Sequence, residues 1–122
     1  MTDATSPSPP VDLEAFRQTL EEGGIAEMLP ILLDAFLHDL PERSNEVART
    51  LDEGNPEEVA RAAHALKSAA GTIHADHLHQ LLSRLENTAK EGATSEMREI
   101  GRQVKGEMTR VERFLRDRKP GG

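Results

Sequence analysis

Apolar residues recur every three or four positions along most of this chain, and nowhere do they alternate for long enough to make a strand. Leu13, Phe16 and Leu20 share one helical face over residues 11–22, and Gly23-Gly24 closes that segment. A longer stripe of Met28, Leu29, Leu32, Leu33, Phe36, Leu37, Leu40, Val47 and Leu51 predicts a helix over 25–53. Pro30 lies close enough to its start to be tolerated. Pro41 removes the bond to the Leu37 carbonyl and predicts either a kink or two abutting helices.

In "DEGNPEE", Gly54 stops that helix, Asn55 caps the next, Pro56 takes its first turn and Glu58 sits at the capping-box position. The third helix runs to about residue 73, with Val59, Ala63, Leu66, Ala70 and Ile73 inward. The fourth covers 76–90, with Leu78, Leu81, Leu82, Leu85 and Ala89 inward and Gly92 behind it. A fifth follows a cap at Thr94 or Ser95, with Met97, Ile100, Val104, Met108, Val111 and Leu115 in step. Each stripe reads as core packing. Four long helices with short loops predict an all-α fold: an antiparallel up-down four-helix bundle, with an additional short N-terminal helix packed across one end.

The 122 residues suffice for one domain, expected over 11–117 between a disordered tail at 1–10 and a flexible tail at 118–122. Met1 and the loose tail favour a free-standing protein. Without cysteine there is no disulfide framework, thiolate metal site or cysteine nucleophile. A net charge of −7 and the lack of Trp and Tyr argue against a nucleic-acid surface. The longest apolar run, 28–37, holds Pro30 and Asp34 and is too short to span a bilayer, and no signal pattern opens the chain. A soluble, cytoplasmic monomer is the expectation.

One helical face is not core. Opposite the buried seam of the third helix lie Ala60, His64, Lys67, Ser68 and Gly71, so a histidine stands beside a cation and residues with almost no side chain. A glycine within a helix costs about 1 kcal/mol relative to alanine, so Gly71 needs a reason; room for another protein's active site to approach His64 would be one. The hairpin between the third and fourth helices turns near Ala75, midway between 64 and 86, which sets Glu86 level with His64. Glu86 lies in line with His79, Ser83 and Lys90 on the flank of the fourth helix. A carboxylate accepting the imidazole Nδ1–H would fix the tautomer and leave the Nε2 lone pair free to attack.

His64-Ala65-Leu66-Lys67-Ser68, followed by Gly71, Ile73, Ala75, Leu78 and Leu85-Glu86, resembles the histidine-containing phosphotransfer (HPt) domain of multistep two-component relays. The resemblance covers about residues 25–115. It implies that His64 is phosphorylated, that Lys67 steadies the phosphoryl group and that Glu86 orients the imidazole. It departs from the family at Ser68 and at His74, where glycine is usual, and the second departure predicts an altered turn. The implied partners are response-regulator receiver domains and a sensor or hybrid histidine kinase.

The implied function is a phosphorelay intermediate: His64 accepts a phosphoryl group from a receiver aspartate and passes it to another. The receiver would supply Mg²⁺; this chain has no acidic cluster for that ion, and no P-loop or glycine-rich nucleotide motif to phosphorylate itself from ATP. Docking would use the face rimmed by Ala60, Arg61, Ser68, Gly71, His79 and Ser83. Two rival readings stand beside this one. "HADHLH" holds His74, Asp76, His77 and His79 and raises a metal site, although His74 falls in the turn and no fixed ligand frame appears. The other rival is a helical adaptor, or a degenerate HPt-like protein, that binds receiver or kinase domains without phosphoryl chemistry. His38 has no assignable partner and reads as a helix-surface residue.

Overall fold

The computed structural model describes residues 9–118; the tails expected at 1–10 and 118–122 lie outside the described residues apart from 9, 10 and 118. The elements are α1 (Leu13–Glu22), a 3₁₀ turn (Ala26–Met28), α2 (Leu29–Glu53), α3 (Pro56–Thr72), α4 (Asp76–Glu91) and α5 (Thr94–Asp117). Helices α2 to α5 each pack chiefly against two neighbours, in the ring α2–α3–α4–α5–α2, which is the up-down bundle expected.

The ends of the elements follow local chemistry. Asp12 accepts the Ala15 N–H at 3.0 Å and starts α1. Gly54 adopts φ 72° and turns its N–H back to the Thr50 carbonyl at 3.0 Å, closing α2 with a conformation that costs glycine little. Asn55 Oδ1 then accepts the N–H groups of Glu57 and Glu58 at 3.1 and 3.4 Å, opening α3. The capping box is not completed, because the Glu58 carboxylate takes Arg61 Nη1 at 2.9 Å instead. α5 begins one or two residues earlier than expected: Gly92 closes α4 and leaves Ala93, which has no side-chain cap, as the N-cap, with Thr94 already helical.

α2 differs more clearly from expectation. Its first turn, from 26 to 28, is 3₁₀, and the α-helix starts at Leu29 with Pro30 in its first positions. Pro41 neither breaks nor divides the helix, which runs unbroken to Glu53. A proline there forfeits one backbone bond, at a cost of about 3 kcal/mol in an isolated helix. Burial on both sides of it compensates: Leu33 and Leu40 before it, and Val47 after it, are each 3% exposed or less.

α3 and α4 are held close because α3 presents small residues. Ala63, Leu66 and Ala70 are fully buried and face the α4 residues Leu78, Leu82 and Leu85, also fully buried. α5 closes the ring with Met97, Ile100, Val104, Met108, Val111 and Leu115, all buried as expected. Gly101 extends this seam: a Cβ there would lie 2.6 Å from Leu51 Cδ1, so any side chain at 101 needs the half-buried Leu51 to move aside. Gly101→Leu should therefore cost about 1–3 kcal/mol through overpacking. A urea titration followed by the helical signal should show a lower midpoint and an unchanged slope.

α1 clamps the α3–α4 turn. Phe16 packs edge-on against Phe36, with centroids 6.4 Å apart. The Asp12 N–H donates to the His74 carbonyl at 2.9 Å. His74 itself holds φ 58°, a left-handed position in the place where the resemblance implies glycine. Its ring meets Thr19 Oγ1 at 3.3 Å and lies beside Phe16, so α1 supports a turn that the side chain alone would disfavour. The histidine at this turn takes the left-handed geometry itself, held by its contacts to α1.

Candidate functional site

The symmetry of the α3–α4 hairpin places residues 64 and 86 at one height, and the small α3 surface lets their side chains meet. His64 Nδ1 lies 3.2 Å from Glu86 Oε2. Lys67, one turn further along α3, donates its Nζ to Glu86 Oε1 at 2.7 Å. From α4, one turn beyond Glu86, Lys90 Nζ stands 3.3 Å from Oε2. A single carboxylate thus gathers an imidazole and two ammonium groups.

Burial differs sharply across this cluster. The Glu86 residue is 7% exposed, whereas the His64 side chain is 62% exposed. The Lys67 ammonium, and to a lesser extent that of Lys90, holds the Glu86 carboxyl below the usual carboxylate range, against the opposing effect of burial. Glu86 is therefore ionised at neutral pH, and an ionised carboxylate can only accept hydrogen bonds. The proton between Glu86 and His64 belongs to Nδ1. Nε2 is left with its lone pair, without a hydrogen-bond partner among the described residues, on a ring that projects from the bundle.

The other expected site residues fall at different depths. Ser68 and Gly71 are exposed on the same face as His64. Arg61 is exposed but paired with Glu58. His79 and Ser83 are half-buried on α4. Ala60 is corrected: it is 9% exposed and belongs to the core. The expectation assumed one buried seam, but α3 packs against both α2 and α4, and Val59, Ala60, Ala62, Ala63, Leu66 and Ala70 spread burial over nearly half of its circumference. Lys90 is the participant to which sequence reasoning assigned no role, although its i+4 spacing from Glu86 carried the signal.

Gly71 has an occupant within the chain. A Cβ at this position would approach His79 Cδ2 to 3.3 Å, so the His79 ring lies across the glycine. Gly71→Ala should stabilise the bundle by about 1 kcal/mol in a His79→Ala background, through helix propensity, and by clearly less with His79 present. Equal gains in the two backgrounds, measured by urea unfolding, would show that His79 is not what needs the space.

The three histidines of "HADHLH" do not converge. His74 is turned to Thr19 and Phe16, His79 lies on Gly71, and His77 is exposed. Among the described residues, no group of three or more His, Asp or Glu side chains stands close enough to hold a metal ion. No helix among them is long and apolar enough to cross a membrane.

Comparison with known proteins bears on this geometry. A family model described as the Hpt domain matches residues 31–114, well over half of the chain and all of the cluster around His64. The fold is similar to that of histidine-containing phosphotransfer protein B (HptB) from Pseudomonas aeruginosa PAO1. That crystal structure superposes with a TM-score of 0.82 at 22% sequence identity, covering 93% of this chain and 96% of the other. No curated protein matches the sequence.

Proposed function

The chain belongs to the Hpt domain family, the histidine phosphotransfer modules of two-component phosphorelays, and from that premise we propose that His64 is its phosphoacceptor. The observation that carries this reading is the split of the imidazole, with Nδ1–H held by a buried carboxylate and Nε2 open to solvent. Nε2 attacks the phosphorus of a receiver's aspartyl phosphate in line. The N–P bond forms as the O–P bond breaks, and the aspartate carboxylate leaves with the bonding pair. A second receiver's aspartate reverses these events.

Such a transfer needs positioning and neutralised charge more than covalent help from the carrier. Glu86 keeps the ring from turning and stabilises the positive charge that develops at Nδ1–H. Lys67, three residues from His64, reaches the phosphoryl oxygens. Arg61, Ser68, Gly71, His79 and Ser83 border the face on which a receiver would dock. Mg²⁺ comes with the receiver. The chain acts in the cytoplasm as a monomeric carrier and does not phosphorylate itself from ATP, since its sequence holds no nucleotide-binding loop.

Incubation with a phosphorylated receiver and Mg²⁺ tests the reading. The expected product is a phosphate on this chain that acid removes and base does not, and that chases onto a second receiver. A panel of receivers that bind the chain but transfer nothing would establish the helical adaptor instead.

A further inference from the structure

Glu86 serves three partners with two oxygens: Lys67 on Oε1, and both Lys90 and His64 Nδ1 on Oε2. In the resting site two ammonium groups face one carboxylate, one more than its own charge requires. Phosphorylation changes that balance. A phosphoryl group brings about −1.5 to −2 charges near neutral pH, placed on the ring that Glu86 already contacts. Lys67 is the cation that α3 carries beside His64, yet its ammonium rests on Glu86 Oε1 at 2.7 Å. To reach the phosphoryl oxygens it must loosen that contact. Without a second cation, the ring's Nδ1–H alone would stand between the buried carboxylate and the new dianion, and like charges so placed repel.

We propose that Lys90 is a positioning residue: it keeps a cation on Glu86 while Lys67 turns to the phosphoryl group, so that the carboxylate does not lose its hold on Nδ1–H. The inference rests on the phosphoacceptor reading of His64. Lys90 is suited to this by its place: it approaches from the next turn of α4, with a side chain 63% exposed, and so holds Glu86 from the solvent side without covering His64. An ordinary exposed pair at this spacing contributes little. This one differs because its acceptor is buried and shared with the reacting ring.

The test follows transfer from a phosphorylated receiver across a range of receiver concentrations. Lys90→Gln should lower the rate at saturating receiver by about three- to tenfold, the coupling usual for groups in one charged network, and leave the half-saturating concentration unchanged. Lys90→Arg should restore the rate. In a Glu86→Gln background, where a neutral amide needs no counter-cation, Lys90→Gln should have no further effect. Either an equal effect in both backgrounds or a raised half-saturating concentration at an unchanged maximal rate would overturn the proposal, by showing that Lys90 meets the receiver directly. An undiminished rate in the single variant would overturn it as well. The wild type is the control for the underlying reading: if it takes no label from any receiver, the phosphoacceptor assignment fails and this inference with it.

Discussion

His64→Gln should take up no phosphate from a receiver that labels the wild type, a loss of at least about 10³-fold, as expected when the nucleophile itself is removed. The folded bundle should survive the change. His64 gives the structure one hydrogen bond from an exposed ring, so the urea midpoint should move by no more than a surface substitution allows, about 0.5 kcal/mol. No other histidine shares its surroundings. His38 is exposed on α2, His74 is engaged by Thr19, His77 is exposed at the start of α4, and His79 lies on Gly71. Among the described residues, no carboxylate pairs with any of these four rings. Phosphate remaining on the Gln variant, with the acid lability of an N–P bond, would move the acceptor to one of them.

The bundle was legible in the sequence because helical periodicity survives wherever a helix buries one face, as α4 and α5 do. Where the prediction and the structure part, tertiary packing decides against a local rule. Of the two outcomes expected at Pro41, a kink or two abutting helices, the second does not occur, and buried Leu33, Leu40 and Val47 hold the helix through the proline. A single buried seam on α3 would leave Ala60 on an open face. A helix so rich in alanine can be covered from two sides, and this one is. Gly71 is exposed, and the His79 ring reaches it from across the hairpin. Such a contact between helices leaves no mark in the periodicity of either one.

The site was legible for a different reason. A short hairpin turn sets heights on its two helices by counting, so the pairing of His64 with Glu86 needed only the position of the turn. Side-chain reach is harder to read. That Lys67 rests on Glu86 rather than standing free beside His64, and that Lys90 joins it, depends on where flexible four-carbon stems settle around a buried charge.

Glu86 carries the second large effect. Glu86→Ala should slow transfer by about 100-fold, because the ring loses both the acceptor that keeps the proton on Nδ1 and the contact that fixes its direction. Glu86→Gln, which keeps an acceptor of similar shape but not the charge, should cost about tenfold. In both variants the loss should fall on the maximal rate rather than on receiver affinity, since Glu86 lies under the surface and behind the ring. A loss confined to affinity would instead make Glu86 part of the docking face.

Its ionisation gives an independent check without any receiver. Lys67, aided by Lys90, places the folded-state pKa of Glu86 below its unfolded value. Between those two values the unfolded chain binds more protons than the folded one, so stability falls as pH falls through that window. The contribution is fully present above the ordinary glutamate range and is lost as the medium is acidified past it. Unfolding of the wild type and of Glu86→Gln from pH 7 down to pH 3 should therefore converge: the wild type's advantage at neutral pH shrinks as its carboxylate is protonated, while the amide has nothing to titrate. Parallel curves would mean that Glu86 is not held ionised by its lysines. A wild-type advantage that grows on acidification would instead place the Glu86 carboxyl above the ordinary range, and the tautomer argument for an open Nε2 would lose its foundation, because a protonated carboxyl could donate to Nδ1 and leave the proton on the nitrogen that must attack.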